Sequence, residues 1–264
     1  MSDTKVDQIA DRIYRISTCI PEIASGGFTF NQFLVDAEEP LLYHTGMRQL
    51  FPLVRAAVET VLPVERLRWI AFAHVEADEC GAVDEFLEAA PQAQVAHGAL
   101  GVMLSLNDML RRPPRGLADG DVLDIGGAGL RRTVLEVATP HVPHNWESHV
   151  FFERETATLF CGDLCTQLGD GAAVTDHDLL DAAIAAEEMF WQTSMGPAVP
   201  AAYRRLADLE PKTLAVMHGS SYNGDCSRLL RDLADIYESR FGCRSAEPVA
   251  HLLPGHDAPV GAGR

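Results

Sequence analysis

Hydrophobic and polar positions fall into short runs separated by turn residues through the first half of the chain. Arg12 to Thr18 reads as a strand, and Gly26-Gly27 turns the chain into a second, Phe28 to Val35. Pro40 to Tyr43 is a third, after the acidic turn Glu38-Glu39. Leu50 to Val61 carries apolar residues at helical spacing and stops before Pro63. Leu67 to Ala73 (LRWIAFA) is a continuous apolar run, the pattern of a strand buried on both faces. A second helix is expected from about Asp78 to Ala89, a short strand at Gln94 to Ala96 and a helix over His97 to Leu110. Arg111 to Gly116 (RRPPRG) reads as a loop, because its two prolines oppose both helix and central strand.

Val122 to Ile125 and Leu130 to Val137 flank Gly126-Gly127-Ala128-Gly129, a hairpin signature. That glycine cluster is no phosphate cradle: no Lys-Ser/Thr follows it and no helical pattern comes next. Ser148 to Arg154 and Ala157 to Cys161 read as another strand pair. The second half turns helical, at Leu179 to Trp191, Val199 to Leu209 and Ser227 to Phe241, with a short strand at Thr213 to Met217. From Ser245 onward Pro, Gly, Ala and His dominate, and a flexible tail over 245–264 is expected beyond a single domain of residues 1–244. Strands and a helix followed by strands and helices suit an α/β fold of two sheets packed face to face with helices outside.

At 264 residues the chain can bury about 70% of its unfolded surface, enough for a full core without staples. Lys+Arg 21 against Asp+Glu 38 gives a net charge of −17. A field of that sign repels phosphate backbones and anionic lipid, so nucleic acid and membrane surfaces are disfavoured partners. No stretch approaches the ~20 apolar residues of a membrane span. The N-terminal segment MSDTKVDQIADRIYRIS lacks the apolar run of a signal peptide, so a cytoplasmic location is expected. The six cysteines are scattered, and free thiols are the expectation in a reducing compartment.

The chemistry concentrates at predicted strand ends. Ala73-His74-Val75-Glu76-Ala77-Asp78-Glu79-Cys80-Gly81 follows the buried strand and precedes a helix. His74, Glu76 and Asp78 stand two apart, and in extended chain they share a side. A straight strand would separate His74 from Asp78 by about 13 Å, whereas paired ions sit about 3.5–4 Å apart. The segment must therefore curl to serve one metal pair. Read without metal, it is an acidic loop with Asp78 capping the helix and Glu79 on the helix dipole. Three other strand ends shift the balance: His141-Val142-Pro143-His144, Gly162-Asp163 and His218-Gly219. Four strand ends supplying His, Glu and Asp form a metal constellation.

These motifs, in this order, resemble the metallo-β-lactamase superfamily, and within it the diiron core of flavodiiron proteins. The superfamily's His-x-His-x-Asp-His becomes His-x-Glu-x-Asp in flavodiiron cores, as His74, Glu76 and Asp78 stand here. The hairpin Gly120 to Pro140 leading into a histidine, the Gly-Asp at 162–163 and the His-Gly at 218–219 are similar too, and the resemblance covers roughly residues 10–240. It implies a four-layer αββα sandwich and a pair of iron ions. In that scheme His74, Glu76 and His144 hold the first iron, Asp78 and His218 the second, and Asp163 bridges them. His144 is preferred to His141 because His-x-x-x-Ser before a strand matches residues 144–148. Three imidazoles with three or four carboxylates also favour iron over a His- or Cys-rich zinc site, although manganese and zinc share the donor types.

Two positions depart from the pattern. The superfamily places a second histidine directly after the aspartate, where this chain has Glu79; the carboxylate either ligates metal or points away and leaves a coordination position open. The strand that usually ends Ile-Asp-Thr-Gly ends here Leu42-Tyr43-His44-Thr45-Gly46, so His44 either orients a ligand carboxylate or fills space. Tyr222 is either a hydrogen-bond donor to bound oxygen or a surface aromatic at a helix start. Cys80 reads as a packing residue, His149 as a packed or rim residue, and His97, His177, His251 and His256 as structural or surface. The resemblance implies binding or reduction of O2, NO or peroxide, with electrons from an external donor or with a sensing role, and it leaves a homodimer open. The rival is a dinuclear metallohydrolase acting on a phosphodiester, thioester or lactone.

Overall fold

A computed structural model describes residues 4–24, 26–126 and 131–239. The proposed tail at 245–264, Cys243, His251, His256 and the hairpin turn at 127–130 lie outside the described residues. Two seven-stranded sheets run in the orders β1-β2-β3-β4-β5-β6-β7 and β12-β14-β13-β11-β10-β9-β8. The first sheet comprises β1 (Thr4–Ala10), β2 (Ile13–Ile20), β3 (Phe28–Val35), β4 (Leu41–Tyr43), β5 (Trp69–Ala71), β6 (Gln94–Gly98) and β7 (Arg115–Leu117). The second comprises β8 (Val122–Asp124), β9 (Thr133–Ala138), β10 (His149–Glu153), β11 (Thr158–Phe160), β12 (Val174–Thr175), β13 (Thr213–Ala215) and β14 (Ser221–Tyr222).

Helices α1 (Phe51–Glu59) and α3 (Val83–Ala89) cover the first sheet, with the one-turn α2 (Ala77–Cys80) preceding α3. Helices α4 (Ala99–Gly101) and α5 (Asn107–Met109) follow β6, joined by a π-helical stretch at Val102–Leu106. Helices α6 (Leu180–Phe190), α7 (Ala198–Ala207) and α8 (Cys226–Ser239) cover the second sheet. The layers are thus αββα.

Alternation along the strands creates three separate cores. Phe33, Val35, Leu41, Tyr43 and Ala71 face Leu123, Val134, Phe151, Phe160 and Ala215 between the sheets. Leu34, Leu42 and Ile70, one residue out of phase, face Val54, Val58 and Phe86 of the helices. Leu159 and Leu214 meet Tyr203, Leu206, Leu230 and Leu233 on the far side. The continuous apolar run at 67–73 has its reason here: β5 lies between parallel neighbours β4 and β6, with a core on each face. Tyr222, read either as a donor to bound oxygen or as a surface aromatic at a helix start, lies in β14 and is buried in the outer core, its hydroxyl against Gly224.

Several expected boundaries are corrected. The expected loop at 111–116 runs into β7, whose Arg115 and Gly116 pair in parallel with Ala96 and His97 at the sheet edge, where the preceding prolines are tolerated. The helix expected over 78–89 breaks between α2 and α3 around Gly81, where a Cβ would come 2.3 Å from the Ala77 carbonyl oxygen. His97 belongs to β6 and not to the helix that follows. Strands β1, β12 and β14 carry no strong apolar alternation that would predict them. Five cysteines, at 19, 80, 161, 165 and 226, are free thiols, and Cys80 packs into the helix-side core. No described helix is long and apolar enough to cross a membrane.

Candidate metal centre

The segments that follow β5, β9, β11 and β13 converge at one end of the sandwich. The first curls directly after His74. Glu76 takes the N-cap position of α2 without a side-chain capping bond, and Asp78 lies inside the turn. The capping role expected for Asp78 in a metal-free reading is therefore not used. Glycines allow the other turns. Gly162 has φ +54° and a Cβ there would meet that of Ala73 at 2.6 Å; Gly219 has φ +104° and would strike Gln167. Asp163 and His218 sit beside these two glycines.

Donor atoms of His74, Glu76, His144 and Asp163 all lie within 4.8 Å of one another. His74 Nε2 is 2.8 Å from Glu76 Oε2, 3.0 Å from His144 Nε2 and 3.7 Å from Asp163 Oδ2. The other oxygen of Asp163, Oδ1, is 3.2 Å from His218 Nε2, which is 3.3 Å from Asp78 Oδ2. Two donor groups thus form, and Asp163 gives one carboxylate oxygen to each. His141 is exposed in the loop, where its backbone N–H donates to the Asn145 carbonyl, and it stays outside this cluster.

The imidazoles are oriented from behind. His218 Nδ1 donates to the Thr29 carbonyl at 2.8 Å, and His144 Nδ1 to the Gln192 carbonyl at 3.0 Å. His74 Nδ1 faces Glu79 Oε1 at 3.3 Å. A carbonyl only accepts, so Nδ1 of His218 and of His144 carries a hydrogen, and their Nε2 atoms are left facing the carboxylates, where a cation can take the place of a proton. His74 Nε2 and His144 Nε2 lie 3.0 Å apart, a contact that needs a proton or a cation between the two nitrogens. Asp78 Oδ1, Asp163 Oδ1 and Glu79 Oε1 are buried without a hydrogen-bond partner among the described residues. This donor set fits a pair of divalent cations with mixed imidazole and carboxylate ligands.

Electrostatics agree with the geometry. Burial opposes charge on His74, but Glu79, Glu76 and Asp163 outweigh it and push its pKa up to about 10. His218 behaves alike: burial is overcome by Asp163 and Asp78, and it too reaches about 10. Hydrogen bonds from His144 and His74 hold Glu76 down at about 2. Burial raises Asp163, yet His218, His74 and His144 together carry it well below the usual carboxylate range. The site is a well of negative charge that takes up protons when nothing else neutralises it.

Sequence reasoning missed the walls. Phe28 stacks on His218 with centroids 4.3 Å apart, and Phe30 meets it edge-on at 5.3 Å. Glu147, nearly buried, accepts from the Val75 N–H and from Asn145 Nδ2, both at 3.1 Å, and so ties the two histidine loops together. Phe28 and Phe30 sit at alternate positions of β3 and point to one face, but nothing in the sequence says that a histidine from the other sheet meets them.

A family model described as ODP family beta lactamase matches residues 28–219. A protein of Nostoc sp. named diflavin flavoprotein A 1 is 26% identical over 203 residues, covering 73% of this chain and 33% of that protein. A similarly named protein of Thermosynechococcus vestitus is 27% identical with 73% and 34% coverage, so the chain spans about a third of the length of the curated relatives it matches. Among solved structures, a metal-soaked flavodiiron core from Synechocystis sp. superposes with a TM-score of 0.77 at 18% identity, over 91% of this chain and 62% of that one. Rubredoxin oxygen:oxidoreductase from Desulfovibrio gigas gives 0.72 at 18% identity, with 88% and 62% coverage. The fold is the metallo-β-lactamase sandwich of flavodiiron cores, and the chain belongs to the ODP family of beta lactamases.

Proposed function

We propose that the chain is a diiron protein that binds or reduces O2, NO or peroxide, drawing electrons from a separate donor or acting as a sensor of its ligand. The observation that carries this is the paired donor set, with the two oxygens of Asp163 turned to opposite histidines. His74, Glu76 and His144 would hold one iron, Asp78 and His218 the other, and Asp163 both. Bound ferrous ions would supply two electrons to a small ligand held between them. The chain's own contribution is orientation and exclusion. The Thr29 and Gln192 carbonyls fix two imidazoles, and Glu79 faces the third. Phe28 and Phe30 line the His218 side with apolar surface, which keeps water from that face. Anionic ligands suit iron because they offset the positive charge gained on oxidation.

The similarity to a flavodiiron core and to an oxygen oxidoreductase supports the reading. The test is anaerobic loading with Fe(II), metal analysis, then exposure to O2 or NO. Two irons per chain and a new near-ultraviolet or visible band on exposure are expected. A chain that rejects iron, retains zinc and hydrolyses a phosphodiester, thioester or lactone would overturn the proposal in favour of a metallohydrolase.

A further inference from the structure

His74 is the one imidazole of the three whose Nδ1 faces a side chain and not a backbone carbonyl. That side chain is Glu79, fully buried behind it. Glu79 Oε2 accepts the His74 backbone N–H at 2.7 Å, and Oε1 lies 3.3 Å from His74 Nδ1. Oε1 is also 3.3 Å from His44 Nε2, and His44 too is fully buried. Glu79 Oε1, His74 Nδ1 and His44 Nε2 make no hydrogen bond among the described residues, so three buried polar atoms face one another at 3.3 Å contacts and have nothing else to face. The backbone holds this arrangement in place. Thr45 donates to the Glu79 carbonyl from its N–H at 2.7 Å and from its hydroxyl at 3.1 Å, and the His44 N–H donates to the Ala71 carbonyl at 2.7 Å. His44 has φ +65°, a left-handed conformation that His, Asp and Asn tolerate better than most residues.

Glu79 and His44 are also the two positions that depart from the superfamily motif, which carries histidine at the first and aspartate at the second. The fold puts the two departures in contact. We propose that they are one compensated exchange: Glu79 is a positioning residue that fixes His74 with Nε2 toward the metals, and His44 holds Glu79 in that role. A carboxylate behind a ligating imidazole fixes its tautomer and orientation and raises its basicity. Exchange of acid and base between the two positions keeps one carboxylate and one imidazole at the contact. This inference rests on the dinuclear reading of the site.

The test uses Co(II) as the probe, with stoichiometry, affinity and the visible ligand-field spectrum as readouts, on the full chain. Thermal unfolding of the metal-free variants controls for folding. Glu79→Gln keeps the shape and should weaken binding about 10–100-fold with an altered spectrum. Glu79→His alone puts two imidazoles face to face, and His44→Asp alone puts a second carboxylate opposite Glu79; each should lose affinity similarly. The double variant His44→Asp/Glu79→His should return to within about threefold of the parent. Losses that simply add in the double variant would overturn the pairing. Full affinity in Glu79→His alone would also overturn it and make residue 79 a direct ligand. An unchanged Glu79→Gln would leave no positioning role to explain. Should the exchanged variants unfold, Glu79→Gln and His44→Asn decide the question by the same readouts. A parent chain that binds no Co(II) overturns the dinuclear reading itself; a parent that binds two alongside unaffected variants overturns only the inference drawn here.

Discussion

Metal loading should expel protons, in a number set by the geometry. In the metal-free chain His74 and His218 are pushed to about 10 by the surrounding carboxylates. At pH 7 each is three units below that value, so it is protonated in all but about one molecule in a thousand. A ligating nitrogen must give up its proton. Loading both positions therefore releases about two protons from these rings, while Glu76, held at about 2, has none to give. Each proton opposes metal by about 4 kcal/mol at pH 7, at 1.36 kcal/mol per unit. The apparent association constant for the pair should rise about hundredfold per pH unit, tenfold per proton, until pH nears 10. Without metal the sign is reversed. Histidines raised above their unfolded value of 6.5 stabilise the metal-free fold fully below pH 6.5 and lose that contribution as pH rises through about 10. Loaded and metal-free chains should thus respond to pH in opposite directions. Calorimetric titration with Mn(II) or Co(II) at pH 7, in two buffers of different ionisation enthalpy, counts the protons, and melting curves from pH 6.5 to 9.5 check the sign. Release of fewer than one proton per pair, or an affinity flat with pH, would refute the assignment of these rings to the metals.

Asp163→Ala removes the carboxylate that faces both donor groups, and metal content should fall from about two per chain to one or none; two tightly held ions in this variant would end the bridging assignment. His144→Ala should weaken metal binding by more than the 10–100-fold that loss of an outer partner costs, whereas His141→Ala should change affinity less than about threefold, because among the described residues His141 is engaged through its backbone alone. Metal analysis after gel filtration decides both, and a larger loss in His141→Ala would reverse the choice.

The fold was legible where burial imposes period. Phe28 to Val35 and Leu50 to Val61 announce a strand and a helix because each faces a core along its length. LRWIAFA announces a strand with two buried faces, which only a layered sheet provides. Legibility fails where pairing and not side-chain burial makes the strand. β1 is a half-exposed edge, and β12 and β14 are two residues each, held by backbone bonds to one another and to β13. A pattern of apolar residues carries no record of such ladders. Nor does it record the turn at Gly81, whose reason is a close approach of backbone within one helix turn.

The site was legible in its donors and silent in its supports. His74, Glu76, His144 and Asp163 could be gathered from sequence because each lies in a segment that follows a strand, β5, β9 or β11, and these strands of the two sheets end at one edge of the sandwich. Thr29 and Gln192 could not, because they act through carbonyl oxygens that every residue possesses. Glu79 and His44 fall between these cases. Each stood out singly as a departure from a pattern, and the sequence offered two readings for each. Nothing in a linear string says that positions 35 residues apart touch. The fold supplies that fact through two backbone contacts, His44 N–H to Ala71 and Thr45 N–H to the Glu79 carbonyl, which bring the end of β4 against α2. Once the two are neighbours, a buried acid and a buried base face each other at 3.3 Å, each pushed by burial toward its uncharged form, His44 to about 3 and Glu79 to about 8. Exchange of both positions is therefore the sharpest report of what the pair does, with Glu79→Gln as its single-site check.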